Sequence, residues 1–265
     1  MGNNRTVAVN GYDYPHYYDI AFQAYTRMEV DFIEAACRKH CAREVHRLLE
    51  PACGTGRLVT ELAARGYGMI GFDLNERTLS YLRRRLTRRR LRAEIFRADM
   101  ANFRLGQQVD AAYCTVSTFR HLLTEQAARA HLNCVAKSLA PGGIYVLGLH
   151  LLQSDGKEPK VPPWKERRGG TEVVVTLRTL RTDRRRRLQN SRIDLLVRRG
   201  GRQLRLQHQL RVRTYTAKQL RRPLDSVASL ELCDIYDFRY NIEEPVTRSD
   251  ELVYGLFVLK RRASR

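Results

Sequence analysis

The chain has 265 residues, 43% of them apolar, 29% charged and 8% aromatic, with a formal net charge of +20. That length and apolar content suit one elaborated domain with a sizeable core. No apolar run reaches the roughly 18 residues a membrane span requires and no charged-then-apolar leader is present, so a soluble, cytoplasmic protein without membrane contact is expected. The six cysteines, Cys37, Cys41, Cys53, Cys114, Cys134 and Cys233, form no CxxC pair and no His/Cys group at metal-ligand spacing. Reduced, mostly buried thiols and no metal are expected. The positive charge invites phosphate contacts, but only seven of the 48 basic residues are lysine, which fits an arginine-biased coding composition equally well. The opening MGNNRT matches the Gly2-plus-Thr6 acylation pattern, which is short enough to arise by chance.

Residues 1–43 read as an N-terminal helical and aromatic lid segment, with Tyr14, His16, Tyr17 and Tyr18 in YDYPHYYD. EVHRLLEP (44–51) is a buried strand, and PACGTG behind it is a turn nearly bare of side chains. Leu58, Val59, Leu62 and Ala63 mark one face of a helix that Gly66 ends, and GMIGFDLN (68–75) is a second strand reaching Asp73. Strand, turn, helix and strand make a right-handed βαβ unit. Asn75 caps the next helix, where Leu79, Leu82 and Leu86 face inward and Arg84, Arg85 and Arg88 are expected to point out. AEIFRADM (93–100) and QVDAAYCTV (108–116) follow as strands. A helix carrying Ala128, Leu132, Val135 and Leu139 comes next, stopped by Pro141-Gly142-Gly143 before the strand IYVLGLHL (144–151). Residues 44–151 thus predict a doubly wound, mostly parallel, Rossmann-like α/β core.

Residues 152–170 read as a polar loop rich in Pro and Gly. Beyond it the period changes to two: EVVVTLRTL, RIDLLVRR and the alternation of Leu204, Leu206, Leu210 and Val212 predict a three-stranded antiparallel insertion turning at Gly200-Gly201. Residues 152–215 are its lid. Residues 216–265 return to the core through a capping box at Thr216 and Gln219 and the strands LELCDIYDF (230–238) and ELVYGLFVLKRR (251–262).

A bare turn before a helix lets backbone N–H groups approach a ligand closely. A dinucleotide site would place a third glycine where Val59 stands, and a phosphate loop would follow Gly56 with Lys-Ser/Thr rather than Arg57-Leu58. What remains is a nucleoside without a pyrophosphate.

Glu50-Pro51-Ala52-Cys53-Gly54-Thr55-Gly56 resembles the first motif of the class I S-adenosylmethionine-dependent methyltransferases, with Ala52 in place of the first glycine. The resemblance implies their seven-stranded sheet with an antiparallel last strand and S-adenosylmethionine as cofactor. It implies that Ala52, Cys53, Gly54 and Gly56 lie beneath the cofactor and that Glu50 orients its amino-acid end. Asp73 would bind the ribose hydroxyls beside Leu74, with two charge-assisted hydrogen bonds as the chemical reason for an acid there. Asp99 would accept from the adenine amino group beside Met100, and Thr115, Val116 and Ser117 would line the methionine portion. The N-terminal segment and the antiparallel insertion resemble the pieces that roof the pocket in the small-molecule type. Tyr17 resembles the aromatic folded over the cofactor, and His121 and His150 are the candidates for acceptor contact or base. Arg27 and Arg120 are candidates for an acidic substrate group, and His208 for a place near the acceptor.

The chain is therefore expected to methylate N or O of a small polar molecule by in-line displacement, with a homodimer compatible. Two alternatives stand beside this: an RNA methyltransferase using Arg184 to Arg187 and the 83–92 run on phosphates, and a catalytically silent cofactor-binding module.

Overall fold

A computed structural model describes residues 5–153, 161–247 and 252–263. Residues 154–160 of the predicted loop, residue 251 of the predicted last strand and the Gly2 end of the acylation pattern lie outside these.

In chain order the elements are β1 (Arg5–Ala8), α1 (Pro15–Ala21), α2 (Thr26–His40), β2 (Arg47–Pro51), α3 (Arg57–Ala64), β3 (Gly68–Asp73), α4 (Glu76–Arg88), β4 (Glu94–Arg97), β5 (Val109–Cys114) and α5 (Glu125–Ser138). They continue with β6 (Leu139–His150), β7 (Trp164–Arg168), β8 (Thr171–Asp183), β9 (Leu188–Arg199), β10 (Arg202–Arg213), α6 (Ala217–Asp225), β11 (Leu230–Tyr236) and β12 (Tyr254–Arg261). Seven strands form one sheet in the order β11-β12-β6-β5-β2-β3-β4, with β12 antiparallel to both neighbours.

The sheet's continuous apolar runs follow from burial on both faces. Leu48, Ala111, Tyr113, Ile144 and Val146 pack against α2, α3 and α4. Their neighbours one residue on, Leu49, Ala112, Cys114, Tyr145 and Leu147, pack against α5 and α6. Pro141-Gly142-Gly143 does not precede β6 as expected but lies within it. The chain leaves α5 at Ser138 and pairs Leu139 with Val109 at once, then bulges through Gly142 (φ 76°) before Ile144 pairs with Ala111. The capping box on α6 forms as read, each of Thr216 and Gln219 bonding the other's backbone.

The lid is larger than three strands. The predicted antiparallel trio is present as β8, β9 and β10, and the sheet gains an edge strand at each side, in the order β1-β10-β9-β8-β7. β7 falls in the segment expected to be loop. Its sequence WKERR carries no apolar alternation, because an edge strand pairs on one side only and its charges discourage pairing with another chain.

The Arg-rich face of α4 also needs correcting. Arg85 does not point to solvent: its Nη1 lies 2.6 Å from the Asp19 carboxylate, whose side chain is 1% exposed. Arg168 of β7 reaches the same group at 2.6 Å, and Tyr81 donates to it at 3.0 Å. Arg84 and Arg88 are exposed as expected.

His131 of α5 is fully buried, with Nδ1 2.8 Å from the Met100 carbonyl and Nε2 2.7 Å from the Tyr145 hydroxyl. The carbonyl only accepts, so Nδ1 carries the proton and Tyr145 donates to Nε2. Burial pushes its pKa from 6.5 down to about 4. The unfolded chain then binds a proton that the folded one refuses, so this histidine costs stability as pH falls below 6.5 toward 4. The thermal midpoint should drop over that window, and His131→Gln should make the drop shallower; equal slopes in wild type and variant would contradict the assignment.

Candidate active site

A cavity of about 680 Å³ opens at the C-terminal ends of β2, β3, β5 and β6, under the inner face of the lid sheet and the segment Asn10–Phe22. Its volume lies in the range of ligand clefts, roughly 300–1,000 Å³.

The floor is the loop between β2 and α3. Ala52, Gly54 and Gly56 all have positive φ, between 52° and 66°, which tightens the chain into two successive turns. Gly54 lines the cavity, and a Cβ built on it would meet nothing within 4 Å. Its N–H donates to Asp73 Oδ2 at 2.9 Å, while Asp73 Oδ1 accepts from the Asn75 N–H at 2.8 Å. Burial raises the Asp73 pKa against the pull of those backbone bonds. Each carboxylate oxygen keeps an acceptor position for a ligand.

Glu50 lies deeper. Burial pushes its pKa up to about 8, although the Arg57 guanidinium and a hydrogen bond from Tyr113 favour the charged form. Arg57 is already committed to Glu29, at 2.7 Å and 2.8 Å, and Thr115 Oγ1 donates to Glu29 at 2.7 Å. Two buried acids thus share one cation, and Glu50 would ionise fully only beside a second positive group.

The wall beyond β5 turns through Val116 (φ 53°) and Ser117 (φ 68°) into the 3-10 helix Thr118–His121. The Ser117 hydroxyl accepts from the His150 backbone N–H at 2.9 Å and lies 2.8 Å from His150 Nδ1. His121 Nε2 is 3.1 Å from the Tyr12 hydroxyl. Burial lowers both histidines to about 4, helped at each by the positive charge of Arg120, so both are neutral near pH 7.

Of the residues singled out in the sequence, Glu50, Ala52, Cys53, Gly54, Asp73 and Leu74 line this cavity. So do Met100, Thr115, Val116, Ser117, His121 and His150. Three do not. Gly56 faces α4, where a Cβ would stand 2.2 Å from Leu82, so glycine there serves helix packing. Asp99 is exposed and accepts from the Ala101 N–H at 2.8 Å, while Ala98 and Met100 on either side line the wall. Tyr17 stacks on Tyr14 at 6.5 Å, because a helix turns about 100° per residue and Tyr18 takes the cavity side instead. Arg120 lines the cavity, whereas Arg27 is 89% exposed beside Asp31. His16 is exposed, and His208 is buried edge-on to Tyr12 behind the wall.

Tyr18, one of the N-terminal aromatics singled out, lines the cavity, whereas Tyr12, Glu29, Arg57 and Asp19 were missed by reading along the chain. Glu29 alone left a signal: it shares a helical stripe with Ile33, Ala36 and Cys37, so an acid stands on an apolar face.

S-adenosylmethionine meets this cavity's demands. Its ribose diol would be able to donate to Asp73, its ammonium would be a second cation for Glu50, and the space over Gly54, where a Cβ meets nothing within 4 Å, leaves room for close approach.

Comparison with known proteins agrees with that fit. Residues 48–143 match the family model described as a methyltransferase domain. The dTDP-3-amino-3,4,6-trideoxy-alpha-D-glucopyranose N,N-dimethyltransferase of Streptomyces venezuelae is 32% identical over 104 residues, 39% of this chain and 42% of that protein. The dTDP-3-amino-3,6-dideoxy-alpha-D-glucopyranose N,N-dimethyltransferase of Streptomyces fradiae is 31% identical over 134 residues, 49% of this chain and 50% of its own. The chain thus spans half or less of the length of these curated relatives. Among solved structures, an S-adenosylmethionine-dependent methyltransferase from Clostridium acetobutylicum superposes with a TM-score of 0.76 at 18% identity, covering 96% of this chain and all of the other. At such identity the likeness is one of fold.

The two loop glycines should respond differently to substitution. Gly56→Ala adds a clash with Leu82 to left-handed strain, together about 2–5 kcal/mol, and should lower the thermal midpoint markedly. Gly54→Ala carries the strain alone, about 1–2 kcal/mol. Equal losses in calorimetric unfolding would contradict the packing role of Gly56.

Proposed function

We infer that this chain, whose residues 48–143 belong to the methyltransferase-domain family, transfers the methyl group of S-adenosylmethionine to a nitrogen or oxygen of a small polar molecule. The observation that carries the reading is one continuous cavity with the glycine loop and two carboxylates on its floor and the lid sheet as its roof.

The cofactor supplies an electrophilic methyl on a sulfonium. On this reading Asp73 holds the ribose, Glu50 takes the ammonium, Leu74 and Met100 flank the base, and Thr115 to Ser117 border the methionine chain. The protein's main contribution is alignment, holding the acceptor atom roughly 3 Å from the methyl and in line with the bond that breaks. The roof excludes water and keeps polymers from the floor.

A nitrogen acceptor is favoured, since the relatives named above are N,N-dimethyltransferases. An amine attacks only unprotonated, and the neutral rings of His121 and His150 accept or donate hydrogen bonds to it without repelling its charge on methylation as an imidazolium would. The loss of Arg85 to Asp19 weakens an RNA-binding role for α4.

Asp73→Ala should weaken S-adenosylmethionine binding by about 1.5–3 kcal/mol, the worth of hydrogen bonds to a charged group, measured by calorimetry. Unchanged affinity would refute the ribose contact. Labelled methyl transfer onto fractionated cell extract should mark the metabolite fraction; label confined to RNA would overturn the small-molecule assignment.

A further inference from the structure

We propose that Ser191 and Thr214, on the inner face of the lid sheet, form the acceptor subsite. It takes a small molecule that carries hydroxyl or amine substituents on an otherwise apolar frame. The proposal rests on the methyl-transfer reading above and names the substrate class of that same cavity.

Ser191 is 3% exposed and Thr214 2% exposed, and both line the cavity. Neither hydroxyl has a hydrogen-bond partner among the described residues. Both hydroxyls keep their accessible surface in the cavity, so each is free to donate to a ligand there and to accept from it.

The register explains why they face inward together. Side chains alternate along a strand, so Gln189, Ser191 and Ile193 share one face of β9. On β10, Leu210 stands opposite Ser191 and Val212 opposite Gln189, which puts Thr214, two residues further on, at the same end of the same face. Gln189 itself is locked: its amide oxygen accepts from Arg120 Nη2 at 2.6 Å and its amide nitrogen donates to Thr179 Oγ1 at 2.6 Å. Arg120 immediately precedes His121 and also donates to the Arg213 carbonyl at 2.9 Å. The polar end of the lid is thereby tied to the segment that brings His121 to the cavity. Leu210 and Val212 flank Ser191 and Gln189 across the strand pair, and Leu177 and Ile193, paired with each other, continue the wall as apolar surface. The wall thus offers two hydroxyls set among apolar side chains. The carboxylates lining the cavity, Glu50 and Asp73, both stand on the floor.

The test is calorimetric titration of methyl 3-amino-3,6-dideoxy-α-D-glucopyranoside into the protein saturated with S-adenosylhomocysteine. This probe joins a hydroxyl- and amine-bearing edge to a methyl group. Wild type should bind it, and Ser191→Ala and Thr214→Val should each weaken binding about 3- to 10-fold, as expected for loss of one buried hydrogen bond. Thr214→Ser should restore most of the loss. S-adenosylhomocysteine affinity should stay within about twofold in every variant, showing that the fold and floor are intact. Equal probe affinity in wild type and variants, or no probe binding by wild type that does bind S-adenosylhomocysteine, would overturn the subsite. Failure of wild type to bind S-adenosylhomocysteine would instead overturn the methyl-transfer reading, and the subsite with it.

Discussion

One buried carboxylate joins the parts of this molecule that must act together. Asp19 leaves the end of α1 and receives Arg85 and Tyr81 from α4, Arg168 from the lid strand β7 and the Thr55 hydroxyl, at 3.1 Å, from the glycine loop. Burial alone would raise its pKa, and the two guanidiniums outweigh burial and hold it below the ordinary carboxylate range. Desolvating such a cluster is costly, and its net contribution to stability is small beside the cost of removing one member, about 3–5 kcal/mol. What it provides is placement. The N-terminal helix, the roof and the loop beneath the ligand meet at a point where no member can shift without stranding a charge.

The floor of the cavity is balanced in a related way. Glu29, Arg57, Glu50 and Tyr113 form a buried row in which two acids face one guanidinium. The row lies on the face of the sheet that α2 and α3 cover, so the helix carrying Glu29 belongs to the site as well as to the packing. Above the floor, Tyr12 and Tyr18 bring aromatic surface from the N-terminal segment, and the lid sheet closes the far side with alternating strand residues. The floor and the roof of the cavity come from parts of the chain more than a hundred residues apart, so their spacing depends on the Asp19 cluster and on the Arg120–Gln189 bond that tie them together.

Much of the core was legible because its causes are local. Strands buried on both faces produce unbroken apolar runs, Asn75 and Thr216 cap the helices they precede, and positive-φ turns call for glycine. Most of the floor was legible for the same reason: Glu50, Gly54 and Asp73 sit at strand ends, where a parallel sheet presents its ligand-facing positions. The strand WKERR was not, since an edge strand needs no apolar alternation. Nor was the inward turn of Arg85, which on its own helix occupies a place indistinguishable from solvated Arg84.

The order of strands and helices in the α/β core, the bare loop and the acids beside it were determined by the sequence alone, because each follows from neighbours within a few residues. Which tyrosine enters the cavity, that Gly56 serves Leu82, that Asp99 turns to its own backbone, and which lid side chains face inward were decided by the tertiary structure. Those outcomes depend on contacts between segments far apart in the chain, and a difference of one residue along a helix or strand is enough to reverse them.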